Sequence, residues 1–125
     1  MKKFILALTY MLGLSVAAQS APPPTEHAVI VQFQYGSTNL EALFSAEDQL
    51  GAAIAAAKVG EMDGHEIAVD GSDGTFYMYG SDADKLFKAV EPVLRTIAFM
   101  KGASVTRRYG PPKDGVKTVV TKIDG

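Results

Sequence analysis

The chain of 125 residues has no cysteine, no tryptophan and only two histidines, His27 and His65. Without cysteine there is no disulfide framework, no thiol nucleophile, no thiolate-bound zinc or iron–sulfur cluster and no lipidated N-terminal cysteine. Two histidines are too few for a His-rich metal site, and no cofactor or metal is expected. Charge of one sign is also scarce. Twelve Lys and Arg stand against 14 Asp and Glu, a formal net charge of −2, so nucleic acid is not an expected partner. What remains, 47% hydrophobic and 21% charged, is the composition of one small globular domain.

Residues 1–18 read as a secretory signal peptide. Met1, Lys2 and Lys3 form a short basic start. Residues 4–16 are an apolar run broken only by Thr9, Tyr10, Gly13 and Ser15, and Val16, Ala17 and Ala18 suit signal-peptidase cleavage. The run is short for a membrane span of about 20 residues. Cleavage and a periplasmic or secreted location are therefore expected, with no stable membrane anchor afterwards. Loss of Lys2 and Lys3 leaves a more acidic chain. Residues 19–27 contain Pro22, Pro23 and Pro24 and read as an extended spacer. Residues 28–125 are expected to form a single α+β domain.

Within that domain, residues 28–35 alternate as a strand, with Val29, Val31, Phe33 and Tyr35 on one parity and Ile30, Gln32 and Gln34 on the other. Residues 40–59 are Ala-rich and helical. Leu50, Ile54 and Ala57 line one side, and Ser45 with Asp48 offers a capping-box-like start unless Leu40, Leu43 and Phe44 begin the helix earlier. Gly60 is the expected C-cap. Asp63-Gly64 reads as a turn, followed by strands at 65–70 and 75–79 joined through the Gly/Asp turn at 70–74. The first strand of this hairpin sets Ile67 and Val69 against Glu66. The second sets Phe76 and Met78 against Thr75, Tyr77 and Tyr79.

Ser81 is the expected N-cap of a second helix ending near Phe99, with an apolar stripe through Leu86, Phe87, Val90, Val93, Leu94 and Ile97. Pro92 inside it predicts a kink or a break into two short helices. Strands follow at 103–109 and 116–123, separated by a Gly-Pro-Pro loop.

The order β-α-β-β-α-β plus one strand predicts a ferredoxin-like sandwich, with two helices on one face of an antiparallel sheet. The last strand pairs with the fourth, giving the spatial order fifth, fourth, first, third, second. The segments 59–67 (VGEMDGHEI), 79–87 (YGSDADKLF) and 108–112 (RYGPP) strengthen this expectation. Taken together they resemble a family of small bacterial ferredoxin-like domains of unassigned function, over about residues 31–120. The resemblance implies the fold and no catalytic residue.

Motifs that carry chemistry are sparse. No Gly-x-Ser-x-Gly elbow or phosphate loop is present. The Asp70–Gly74 stretch has Gly at the third ligand position of a calcium loop and Ser81 at the twelfth, so it reads as a hairpin turn. Glu61, Asp63, His65 and Glu66 are the densest polar cluster, but adjacent strand residues point to opposite faces. An enzyme is thus not the first reading, and no catalytic residue is assigned. Charge is segregated along the chain. No Lys or Arg lies between Lys58 and Lys85, whereas Lys101, Arg107, Arg108, Lys113, Lys117 and Lys122 crowd the C-terminal part.

The helix-free sheet face is the most informative surface. By parity it carries Gln32, Gln34, Glu66, Thr75, Tyr77, Tyr79, Thr106 and Arg108. Half-exposed tyrosines on an inner strand are interface anchors. The expected partner-binding residues are Gln32, Gln34, Glu66, Tyr77, Tyr79 and Arg108, engaging a protein or peptide partner or a second copy of the chain. Glu66 and Arg108 would set orientation by charge. An inhibitor or immunity-type protein acting on a secreted enzyme through an edge strand or the 110–115 loop is the alternative, with a small-ligand carrier or enzyme behind it.

Overall fold

The computed structural model describes residues 26–124. The signal peptide and most of the spacer lie outside the described residues. Eight elements follow: β1 (His27–Gln34), α1 (Glu41–Ala57), β2 (Glu61–Ile67), β3 (Asp73–Gly80), α2 (Ala83–Leu94), a 3₁₀ turn (Ala98–Met100), β4 (Ser104–Arg108) and β5 (Thr118–Lys122). The five strands form one sheet in the order β2-β3-β1-β4-β5, and every neighbouring pair is antiparallel. This is the expected α+β, ferredoxin-like arrangement with an extra C-terminal strand, in the expected spatial order.

The core follows from the alternation. Val29, Val31 and Phe33 of β1, Phe76 and Met78 of β3 and Val105 of β4 face the helices. They meet Leu43, Leu50 and Ile54 of α1 and Leu86, Val90 and Leu94 of α2. Among the described residues every buried side chain is apolar. The interior is therefore a packed hydrocarbon layer with no titratable group in it. Ala57, expected on the apolar side of α1, is exposed.

Several boundaries differ from the expectation for definite reasons. α1 starts at Glu41, with Ser45 inside the helix, because its entrance is held from outside. Asn39 Oδ1 accepts the Glu41 N–H, and the Tyr35 hydroxyl accepts the Leu43 N–H while donating to the Asn39 carbonyl. The left-handed residue at its end is Lys58 (φ 56°), not Gly60. Asp63-Gly64 is not a turn but a β-bulge inside β2, with the register shifting between Met62 and Gly64. β2 therefore starts at Glu61 and ends at Ile67, and Val69, expected in a strand, is fully exposed in the hairpin turn.

The N-cap of α2 is Asp82 rather than Ser81, and its carboxylate accepts the N–H groups of Asp84 and Lys85. α2 stops at Leu94, two residues beyond Pro92 and short of Phe99. The helix continues through Pro92 without the break expected there, the Arg95 N–H still donating to the Glu91 carbonyl, and the chain then re-enters the core through the 3₁₀ turn with Met100 fully buried.

Candidate interaction surface

Both helices lie on one side of the sheet. Among the described residues no helix covers the other side. The strand register lays that open face out in rows. One row runs Glu61, Tyr79, Ala28, Arg108, Thr118 from β2 to β5. The next runs Gly64, Tyr77, Ile30, Thr106, Val120, and the third Glu66, Thr75, Gln32, Ser104, Lys122. The middle row is a narrow apolar strip. Tyr77 and Ile30 are half-buried, and Val120 is 61% exposed. Ala28 is fully buried, flanked by Tyr79 and Arg108.

The bulge at Asp63 decides which acids share this face. Glu61 and Glu66 are five residues apart, so strict alternation would put them on opposite faces. The extra residue resets the phase, and both end on the open side, paired in register with Tyr79 and Thr75. His65 is sent to the helix side. Its Nδ1 lies 3.0 Å from Glu47 Oε1 on α1, with the Phe44 ring 5.8 Å away. The polar cluster at 61–66 is thus split across the sheet. Among the described residues no three His, Asp or Glu side chains gather closely enough to hold a metal ion.

Each expected site residue has a definite place. Tyr77 donates its hydroxyl to Glu66 Oε1 at 2.5 Å. That hydrogen bond, with desolvation and the Glu66 charge behind it, holds the Tyr77 phenol above the usual tyrosine range. The pair is therefore a fixed, protonated phenol beside a carboxylate. With Tyr79, Asp63 and Gly64 it borders a shallow hollow of about 320 Å³. Gln32 and Gln34 line a second hollow of about 240 Å³ with Asp73, Thr75, Ser104 and Lys122. Arg108 lies on this face, but its guanidinium is turned along the sheet end. Nε donates to the Gly110 carbonyl at 2.7 Å and Nη2 to the Glu26 carbonyl at 3.1 Å. It ties the β4–β5 loop to the start of β1.

Sequence reasoning left out Ile30, Glu61, Val120 and Lys122. For Val120 and Lys122 the signal was present in the alternation of the last strand. For Glu61 it was hidden by the bulge. Lys122, among the described residues, makes no salt bridge, so it is the unengaged cation of the face.

A second polar group, not anticipated from sequence, sits near the N-terminus of α2. Asp84 Oδ1 accepts the Tyr109 hydroxyl at 2.5 Å and Arg107 Nη1 at 2.9 Å. Arg107 lies over the Phe87 ring and Lys117 over the Tyr109 ring, each 4.8 Å from the centroid. Hydrogen bonding from Tyr109, then from Arg107, holds the Asp84 carboxyl below the usual carboxylate range. The same bond to Asp84 raises the Tyr109 phenol. These groups fasten β4 and the following loop to α2. In the 70–74 turn, Asp70 is held low by hydrogen bonds from Ser72, and its Oδ1 accepts the Ser72 N–H. Asp70 thus closes an Asx-type turn.

Comparison with known proteins finds no matching family model, no matching curated protein and no matching solved structure. The ferredoxin-like arrangement accordingly rests on the element order and the sheet topology.

Proposed function

We propose that this chain is an exported binding domain, periplasmic or secreted, that engages a protein or peptide partner, or a second copy of itself, through the open sheet face. One observation carries the reading. Among the described residues nothing covers the strip of Tyr77, Ile30 and Val120, and its tyrosine is locked by Glu66. A rigid aromatic on a rigid strand loses little entropy when it docks, which is why such residues dominate interfaces. Among the described residues the buried side chains are all apolar, so the polar groups of this fold lie on its surfaces.

The test is a paired capture from the exported fraction, using the tagged protein and its Tyr77→Ala/Tyr79→Ala variant. A binding face requires a specific interaction, with another protein or with itself, that the double variant loses while keeping the native circular dichroism. An interaction that survives both substitutions removes the reading.

A second reading has its own support. The loop between β4 and β5 is anchored by Arg108 on Gly110 and by the Tyr109 N–H on Lys117. It exposes Pro112 to Gly115 on a fixed base, as an inhibitory loop would be presented. Shortening that loop separates the two readings: it abolishes inhibition of a target enzyme under the second and leaves capture intact under the first.

A further inference from the structure

The charges of the open face are ordered across the sheet, not scattered. Glu61 and Glu66 lie on the β2 edge. Lys122 lies on β5 at the opposite edge, and Arg108 sits on the neighbouring β4 with its guanidinium bonded to the Gly110 and Glu26 carbonyls. β1 is the middle strand, and Ile30 is at the centre of the apolar row. A face with acid at one edge, base at the other and an apolar centre is complementary to itself under one rotation only. A two-fold axis along β1 exchanges β2 with β5 and β3 with β4 while keeping every row in place. Glu66 then meets the Lys122 of a second copy, Tyr79 meets Arg108, and Ile30 meets Ile30. An axis across the strands would instead stack β2 on β2 and set acid against acid.

We infer that the occupant of the open face is a second copy of this chain, in an isologous face-to-face dimer with its two-fold axis along β1. This inference rests on the binding-face reading and names its partner. Stacked sheets pack about 10 Å apart with strands about 30° from parallel, so the axis bisects the two β1 strands at about 15° from each. At the outer strands, about 10 Å from the axis, that angle shifts the rows by about 5 Å, which Glu and Lys side chains span. Five strands cover a patch about 20 Å wide and about 20 Å long. The buried total is then on the order of 1,000 Å², the lower end for a specific interface. The dimer is therefore concentration-dependent rather than obligate. Its edge pairs are exposed, so it weakens as salt rises.

Sedimentation equilibrium on the purified protein from about 1 μM to about 1 mM tests this, with circular dichroism reporting the fold of each variant. The expected result is a reversible monomer–dimer equilibrium. Ile30→Arg, which would bring two arginines together on the axis, abolishes the dimer. Lys122→Glu weakens it about tenfold or more. Adding Glu66→Lys to Lys122→Glu restores most of the loss. A dimer lost in Ile30→Arg but indifferent to Lys122→Glu overturns the axis. A protein monomeric throughout the range overturns the dimer altogether. In that case, capture of another protein that depends on Tyr77 and Tyr79 leaves the binding face standing with a different occupant, and absence of such capture removes both.

Discussion

The Tyr77 hydroxyl and the Glu66 carboxylate meet across β2 and β3, 2.5 Å apart, on the face that no helix among the described residues covers. A phenol that donates to a carboxylate resists losing its proton, and Tyr77 accordingly ionises above the ordinary value of 10.0. The folded state then holds this proton more tightly than the unfolded chain does. The stability it adds is fully present below the unfolded value and is lost as the pH rises through the higher folded value. Ultraviolet titration of tyrosinate, compared with a Tyr77→Phe variant, isolates this group. Glu66→Gln moves the Tyr77 ionisation back toward the ordinary range while Tyr109, raised by Asp84, stays where it is. A Tyr77 curve unchanged by Glu66→Gln would contradict the pairing.

Gly71 closes the hairpin turn against the segment leading into α1. Its carbonyl accepts the N–H groups of Gly36 and Ser37. Its φ is +75°, and a Cβ there would sit 2.0 Å from the Ser37 carbonyl oxygen. Gly115 has a similar φ of +82° but open space around the Cβ position. Gly115→Ala therefore carries only the backbone cost, about 1–2 kcal/mol. Gly71→Ala carries that cost and a backbone overlap that cannot relax through a rotamer change, so its loss is larger. Urea melts of the two variants check the order, and equal losses would remove the steric argument.

The first turn of α2 has every N–H accounted for. Ala83 donates to His27 Nδ1 at 3.1 Å, Asp84 and Lys85 to Asp82 Oδ1, and Leu86 to the Asp82 carbonyl. As an acceptor, His27 Nδ1 must be unprotonated, which places the ring hydrogen on Nε2. Asp82→Ala costs about 1 kcal/mol. Hydrogen exchange resolves the two caps: Asp82→Ala speeds the amides of Asp84 and Lys85, whereas His27→Ala speeds that of Ala83. Uniform acceleration of all three in either variant would mean that the helix end frays as a unit.

The faces of the sheet were legible because burial alternates with period two. Val29, Val31 and Phe33 against Gln32 and Gln34 leave one consistent assignment, and Phe76 and Met78 against Tyr77 and Tyr79 another. Boundaries that depend on one residue's backbone were not legible. Asp63-Gly64 carries the same residue types whether the chain reverses or bulges, and only pairing with β3 decides. Ser81 and Asp82 both have capping chemistry, so the direction in which the chain leaves β3 makes the choice. Contacts distant in sequence left no local trace. His27 reaches Ala83 over 56 positions, and Asp84 reaches Tyr109 over 25. For the same reason the alternation placed Arg108 correctly on the open face, yet nothing in it foretold that the guanidinium would be spent on two backbone carbonyls.

Asp84 sets the acid limb of stability near α2. Its carboxylate accepts from both Tyr109 and Arg107, and the bonded form is the charged one, so its folded value lies below the ordinary 3.8. Its contribution is therefore present above the unfolded value and lost as the pH falls through the lower folded value. Thermal melts from about pH 5 to about pH 2 should show Asp84→Asn falling less steeply than the unmodified protein across that window. The Tyr109 hydrogen bond is the largest single cause, and Arg107 acts through both a hydrogen bond and its charge. Tyr109→Phe should thus flatten the acid limb more than Arg107→Lys does. Added salt separates the two contributions further, because it screens the exposed ion pair and leaves a neutral hydroxyl donor nearly untouched. If salt alone reproduces the Asp84→Asn profile, the charge of Arg107 and not the Tyr109 hydroxyl governs this corner of the fold.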